Sequence, residues 1–362
     1  MTILFLVMGL AVLIAGAEAL VRGASRLAVS IGISPLVVGL TVVAFGTSAP
    51  ELAISIKSSL SGHTDIAVGN VIGSNIFNVL FILGLSALIV PLSVSQQLVR
   101  LDVPLMITIS VFVLLLGYDG TLSRIDGCLL FSGLIAYLVF LIFQSRKEEK
   151  QVQDEYAQEY GVSSGMTVRR LLVNLVLVLG GFGLLILGSR WLVDSATTIA
   201  QYFGISELII GLTIIAAGTS LPEVVTSVVA SIKGERDIAV GNVIGSNIFN
   251  ILSVLGLSAI TAPDGLGVSQ AVLQLEIPIM IAVAFACMPI FFSGYVIARW
   301  EGALFLGYYL VYMLYLILIA TQHAFLTFFS TIMLYFVIPV TVITLLIVTV
   351  RTIQKRKDVK SL

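Results

Sequence analysis

A segment of 46 residues occurs twice in this 362-residue chain. Residues 39–84 read GLTVVAFGTSAPELAISIKSSLSGHTDIAVGNVIGSNIFNVLFILG, and residues 211–256 read GLTIIAAGTSLPEVVTSVVASIKGERDIAVGNVIGSNIFNILSVLG. They align without gaps at an offset of 172, with 29 of 46 positions identical, and Asp65–Asn78 recurs unchanged as Asp237–Asn250. Fainter echoes follow: Leu101-Asp102-Val103-Pro104 against Leu275-Glu276-Ile277-Pro278, and Arg124-Ile125-Asp126-Gly127 against Arg299-Trp300-Glu301-Gly302. The chain must therefore fold as two related halves.

The halves are too apolar for water. Hydrophobic residues make up 58% and charged residues 11%, against about 25% charged in a soluble domain. A helix crosses the hydrocarbon core with about 20 apolar residues. Runs near 2–21, 36–60, 66–90, 102–117, 125–143, 171–193, 207–232, 238–262, 274–293, 301–321 and 326–350 predict eleven spans. The first is read as a mature helix, since it has no basic leader and no cleavage site. The fold class expected is all-α integral membrane: two five-helix repeats, 1–145 and 171–322, joined by a polar loop, 146–170. An extra helix and a basic tail occupy 323–362. Five spans per unit is odd, so the second copy enters from the opposite side, the inverted arrangement of secondary transporters. With the N-terminus outside, sixteen Lys and Arg residues fall on the cytoplasmic side. Only Lys57, Arg124 and Arg190 stay outside, as the positive-inside rule demands. The expected location is a cell (cytoplasmic or inner) membrane, with the C-terminus in the cytoplasm. A net charge of −1 gives no reason for a nucleic-acid partner, and Cys128 and Cys287 have neither disulfide nor metal spacing.

Each copy carries a broken helix with an acid inside it: Gly46-Thr47-Ser48-Ala49-Pro50-Glu51 and Gly218-Thr219-Ser220-Leu221-Pro222-Glu223. Proline has no N–H and clashes with the carbonyl four residues back, which frees backbone oxygen, here that of Gly46 and Gly218. At membrane depth that oxygen must face protein or a wet cavity. A carboxylate there costs several kcal/mol by insertion scales, about 2.5–3.5, and two facing each other repel. A cation between Glu51 and Glu223 removes both penalties. Thr47 with Glu51, and Thr219 with Glu223, share a helix face, while Asn70, Ser74 and Asn78 form one stripe, repeated as Asn242, Ser246 and Asn250. A set of carboxylates, hydroxyls and amides without His or Cys suits Ca2+ or Na+, not Zn2+ or Cu. No cofactor is expected beyond the transported Ca2+ and Na+.

The paired G-T-S-x-P-E and G-N-x-x-G-S-N segments resemble the α-repeats of the calcium/cation antiporter superfamily, and within it the prokaryotic sodium/calcium exchangers. That resemblance implies alternating access, with Na+ entry driving Ca2+ out. It implies that Glu51, Glu223, Thr47 and Thr219 ligate Ca2+. Ser48, Ser220, Ser74 and Ser246, with the carbonyls of Ala44 and Ala216, would complete flanking Na+ sites, and Asn78 and Asn250 would belong to the same centre. Helices 1 and 6 would be the mobile gating pair, and one monomer would suffice for transport. Some members carry aspartate where this chain has Asn250. Two asparagines leave the centre with two carboxylates, so H+ or K+ coupling stays open.

Other polar residues receive simpler readings. Asn75 and Asn247 cap or bridge helices, with a binding role as the alternative. Asp65, Asp237, Asp102 and Glu276 cap helix starts. Glu18 pairs with Arg22, and Arg190 with Asp194. The acidic loop 146–170 connects the halves without EF-hand spacing. A Ca2+/H+ or K+-dependent antiporter would use the same ingredients. A cation channel would too, but passes Ca2+ without a Na+ gradient. An intramembrane enzyme would need an acid–base pair, and no Ser–His or Asp–Asp arrangement accompanies the glutamates.

Overall fold

The computed structural model describes residues 1–31, 33–145, 168–205, 207–292, 294–344 and 350. Most of the expected connecting loop (146–167) and the basic tail (351–362) lie outside the described residues. In chain order the helices are α1 (Thr2–Ile31), α2 (Pro35–Thr47), α3 (Ala49–Leu60), α4 (Thr64–Ile89), α5 (Leu98–Asp119), α6 (Arg124–Ser145) and α7 (Val168–Tyr202). There follow α8 (207–218), α9 (Leu221–Ile232), α10 (Arg236–Thr261), α11 (Val272–Phe292), α12 (Arg299–Ala320) and α13 (Leu326–Thr344). Among the described residues, nine helices are long and apolar enough to cross a membrane. The pair α2 and α3, bent by 45°, makes a tenth if taken as one span. The run expected at 207–232 is not a single long helix; it is broken at Thr219-Ser220, and only α9, 12 residues, is itself an apolar helix of moderate length.

The duplicated sequence has duplicated backbone detail. Wide π-helical turns occur at 39–43 and 211–215, at 78–83 and 250–255, and at 98–102 and 272–276. Such turns are frequent at functional sites in helices. Four short strands tie the halves together: β1 (Leu92–Ser93) pairs with β4 (Val296–Ile297), and β2 (Thr121–Leu122) with β3 (Leu266–Gly267), both antiparallel. The 22 residues of α5 span about 33 Å and separate β1 from β2. The matching strands β1 and β3 therefore lie at opposite ends of the helices, as two copies of opposite orientation require.

The core lies between α4 and α10. Val71, Ile72 and Ile76 pack with Val243, Ile244 and Ile248, all nearly inaccessible. On one flank the long helices α1 and α7 run side by side at glycine contacts. A Cβ on Gly16 would come within 2.8 Å of the Leu185 backbone, and one on Gly181 within 2.8 Å of the Leu20 backbone. On the outer edge, α13 buries none of its apolar window and is tied to α12 by a hydrogen bond between Tyr308 and Thr341. Phe328, Leu334 and Phe336 stay exposed, as suits a surface facing acyl chains.

Several polar residues depart from the sequence expectation. Asp102 does not cap a helix. It sits inside α5, fully buried, and accepts hydrogen bonds from Tyr137 Oη (2.9 Å) and Gln97 Nε2 (3.2 Å). Its position follows the wide turn at 98–102, which runs into the helix rather than starting it. Glu276 likewise ends a wide turn within α11. Asp65 and Asp237 lie in the first turns of α4 and α10, where negative charge complements the helix dipole, but His63 and Glu235 hold the cap positions. Glu18 pairs with Arg22 as expected, and also reaches Lys233 at 2.8 Å. Among the described residues no ion pair joins Arg190 to Asp194.

The Asp102 contact gives a direct test. Tyr137→Phe leaves a buried carboxyl oxygen short of its donor, a loss of about 1–3 kcal/mol. The purified variant should melt several degrees below wild type, with transport per folded molecule unchanged. An unaltered melting temperature would show that the bond carries no weight.

Candidate ion-binding site

The two helix breaks bring the acids into place. Ser48 (φ −79°, ψ 5°) and Ser220 (φ −90°, ψ 9°) leave helical geometry, and proline follows two residues later in each copy. Glu51 and Glu223 then fall in the first turns of α3 and α9. Both carboxylates thus sit at the positive end of a helix, an electrostatic setting that complements negative charge. Both side chains are fully buried, Glu51 at 0% and Glu223 at 1% exposure.

The copies bond to each other at this point. Ser220 Oγ donates to Glu51 Oε1 (2.8 Å), and Ser48 Oγ donates to Glu223 Oε1 (3.3 Å). Ser74 Oγ lies 3.3 Å from Ser220 Oγ, which extends the chain into α4. Thr47 Oγ1 lies 3.1 Å from Asn242 Oδ1 in α10. So Thr47, Ser48, Ser74, Ser220 and both glutamates form one buried group. Asn70 and Asn242 brace it. Asn70 Nδ2 donates to the Glu51 carbonyl (3.2 Å) and to Ser55 (2.9 Å); Asn242 Nδ2 donates to the Glu223 carbonyl (3.5 Å) and to Ser227 (2.9 Å).

What remains unbonded points to the ligand chemistry. Among the described residues eight buried side-chain oxygens lack a hydrogen-bond partner. Two belong to this group, Glu51 Oε2 and Glu223 Oε2; three more lie farther along the same helices, Asn78 Oδ1 four residues after Ser74, Ser246 Oγ four after Asn242 and Asn250 Oδ1 four after Ser246. Native interiors rarely leave polar atoms so, and a place for a bound ion is a standard cause. The donors are all oxygen, which fits a hard cation. Among the described residues no group of three His, Cys, Asp or Glu offers a softer metal site.

The backbone oxygens behave unevenly. Ala44 O accepts the Ser48 amide (3.0 Å) and lies 3.3 Å from Thr47 Oγ1; Ala216 O lies 3.4 Å from Thr219 Oγ1. Pro222, four residues on, predicts Gly218 O as a free oxygen. Instead Ser189 of α7 donates to it at 2.8 Å. Sequence reasoning missed Ser189 because the matching position in α1 is Ala17, so the duplication gives no signal there.

The two halves also differ in cover. Around Gly245 the first copy closes tightly: a Cβ there would meet Leu40 Cα at 2.7 Å and Ala44 Cβ at 2.8 Å. At the matching Gly73 no atom of the described residues lies within 4 Å. Ala44 and Thr47 are fully buried, whereas Ala216 is exposed and Thr219 half-buried. The group is therefore sealed along α10 and open along α4.

Comparison with known proteins gives the family and the fold. The sodium/calcium exchanger protein family matches residues 1–143 and 173–318. The chain is 39% identical over 287 residues to inner membrane protein YrbG of Escherichia coli (strain K12), covering 78% of this chain and 87% of that one. It is 33% identical over 347 residues to sodium/calcium exchanger MaX1 of Methanosarcina acetivorans, covering 86% and 97%. A solved structure of the sodium-calcium exchanger NCX_Mj, soaked with Na+ and Ca2+, superposes with a TM-score of 0.71 at 32% identity, covering 88% of this chain and 97% of that one. A multi-pass membrane protein with a duplicated, acid-bearing helix break, this chain belongs to the sodium/calcium exchanger family of cation antiporters.

Proposed function

We propose that the protein exchanges Ca2+ for Na+ by alternating access, with Glu51 and Glu223 as the central Ca2+ ligands. The observation that carries this reading is the pair of fully buried glutamates, one from each copy, each bonded to the other copy's serine and each left with an unpartnered oxygen. Two carboxylates balance a divalent ion without help from Lys or Arg. Thr47 and Thr219 complete the Ca2+ site; Ser48, Ser74, Ser220, Ser246 and the carbonyls of Ala44 and Ala216 form flanking Na+ positions. Na+ occupying those positions competes for the same carboxylates, which couples the two ions.

The N-terminus is placed outside and the C-terminus in the cytoplasm. The Glu18–Lys233 contact supports this, since it sets the end of α9 beside the stretch of α1 that carries Arg22 and Arg26, where basic residues cluster. In that orientation α4 starts at the outer face, and Asn70, Gly73 and Thr219 line the open approach. The conformation is then open outward.

Purified protein in vesicles tests the reading. Ca2+ uptake should follow an outward-directed Na+ gradient and fail with K+ or pH gradients alone. Uptake driven by protons makes it a Ca2+/H+ antiporter; uptake without any gradient makes it a channel.

A further inference from the structure

We propose that Asn75 and Asn247 are positioning residues that fix which end of the Asn78 and Asn250 amides faces the transported cation. The proposal rests on the exchange reading above and names two residues that touch no ion.

A side-chain amide has a donating end and an accepting end, and only the accepting end can ligate a cation. Which end is presented must be set by a neighbour with fixed polarity. A backbone carbonyl is such a neighbour, because it only accepts. Asn75 lies 3.3 Å from the Asn247 carbonyl oxygen, so the end it offers is Nδ2. Its second proton faces Met280 Sδ at 3.6 Å. Its Oδ1 is thereby turned toward Asn250, 3.1 Å away, and Asn250 must answer with its own Nδ2. The Asn250 Oδ1 is left on the other side, buried and without a partner.

The same chain runs with the copies exchanged. Asn247 Nδ2 donates to the Asn75 carbonyl (3.4 Å) and faces Met106 Sδ (3.4 Å); Asn78 Nδ2 donates to Asn247 Oδ1 (3.0 Å); Asn78 Oδ1 is buried and unpartnered. Each inner amide is fully used, and each outer amide is half used. Asn78 lies one helical turn from Ser74, which is itself bonded into the group of both glutamates. A flip of either outer amide would replace an oxygen by an NH2, which repels a cation. Because each backbone carbonyl belongs to the opposite copy, the selection works only while α4 and α10 stay docked.

A double-mutant cycle separates positioning from mere helix bridging. Asn75→Ala releases the Asn250 amide and should weaken Ca2+ binding to purified protein about tenfold, the weight of roughly one hydrogen bond. A carboxylate has two oxygens and no wrong end. In an Asn250→Asp background, Asn75→Ala should therefore leave Ca2+ affinity unchanged or raise it, since Asn75 Oδ1 faces an acceptor there. Equal losses in both backgrounds would overturn the proposal in favour of a bridge. Thermal melting of each variant checks that it is folded. Should Asn75→Ala not fold, Asn75→Ser and the mirror pair Asn247→Ala with Asn78→Asp read the same cycle. Wild-type protein that binds no Ca2+ would sink the exchange reading itself, an outcome distinct from equal losses in a binding-competent protein.

Discussion

Glu51→Gln, and separately Glu223→Gln, should lower Na+-driven Ca2+ exchange at least about a hundredfold, the scale of 3–5 kcal/mol lost when one member of a buried charge pair is removed. Glutamine keeps the shape and an acceptor oxygen, so Ser220 and Ser48 can still donate to it. What disappears is the charge that balances a divalent ion. The fold should survive, and without cations it should be sturdier. In the ion-free wild type two fully buried carboxylates face a common site with two oxygens unpartnered. Neutralising one removes that repulsion and part of the desolvation cost. Melting of the purified variants should thus rise or hold in chelator, while the gain that Ca2+ gives the wild type vanishes. Full exchange in either variant removes the central assignment.

The second large effect concerns two glycines of identical sequence context and opposite surroundings. Gly245→Ala should strain the observed conformation. Its Cβ would meet Leu40 Cα and O at 2.7 Å and Ala44 Cβ at 2.8 Å, with only backbone and a methyl to yield. Overpacking of this kind costs about 1–3 kcal/mol. Gly73→Ala meets no atom of the described residues within 4 Å and should not disturb this conformation. Under alternating access the halves exchange roles, and Gly73 then needs the close approach that Gly245 has now. Both variants should transport slowly, with opposite bias between the two states, by about five- to a hundredfold in the conformational equilibrium. A cysteine at Ala216, exposed here, reads the bias once Cys128 and Cys287 are replaced. A water-soluble thiol reagent added outside should label it faster in the Gly73→Ala protein and slower in the Gly245→Ala protein. Identical labelling in both would contradict the exchange of roles.

The sequence made the helix breaks and the acids legible because their physics is local. Proline removes a donor wherever it stands, and a glutamate inside an apolar run needs a partner wherever that run folds. The duplication told which positions match. It could not tell where the copies differ. Ser189 supports Gly218 O from a third helix and has only Ala17 as its counterpart. The open and closed sides of Gly73 and Gly245 belong to one conformation, not to the sequence, which is the same at both. Asp102 resembled a cap because Pro104 follows it. The wide turn at 98–102 carries the helix through, and Tyr137, 35 residues on, supplies the bond. Asn75 and Asn247 were legible as bridges. The polarity of their amides became legible only once each was seen against the other copy's carbonyl.

Anomalous diffraction from crystals grown with Ca2+ tests the central claim most directly. A peak should lie within about 2.3–2.6 Å of oxygens from both Glu51 and Glu223, and should fade as Na+ replaces Ca2+. A Ca2+ peak elsewhere, with the two carboxylates bonded only to protein, would contradict the account.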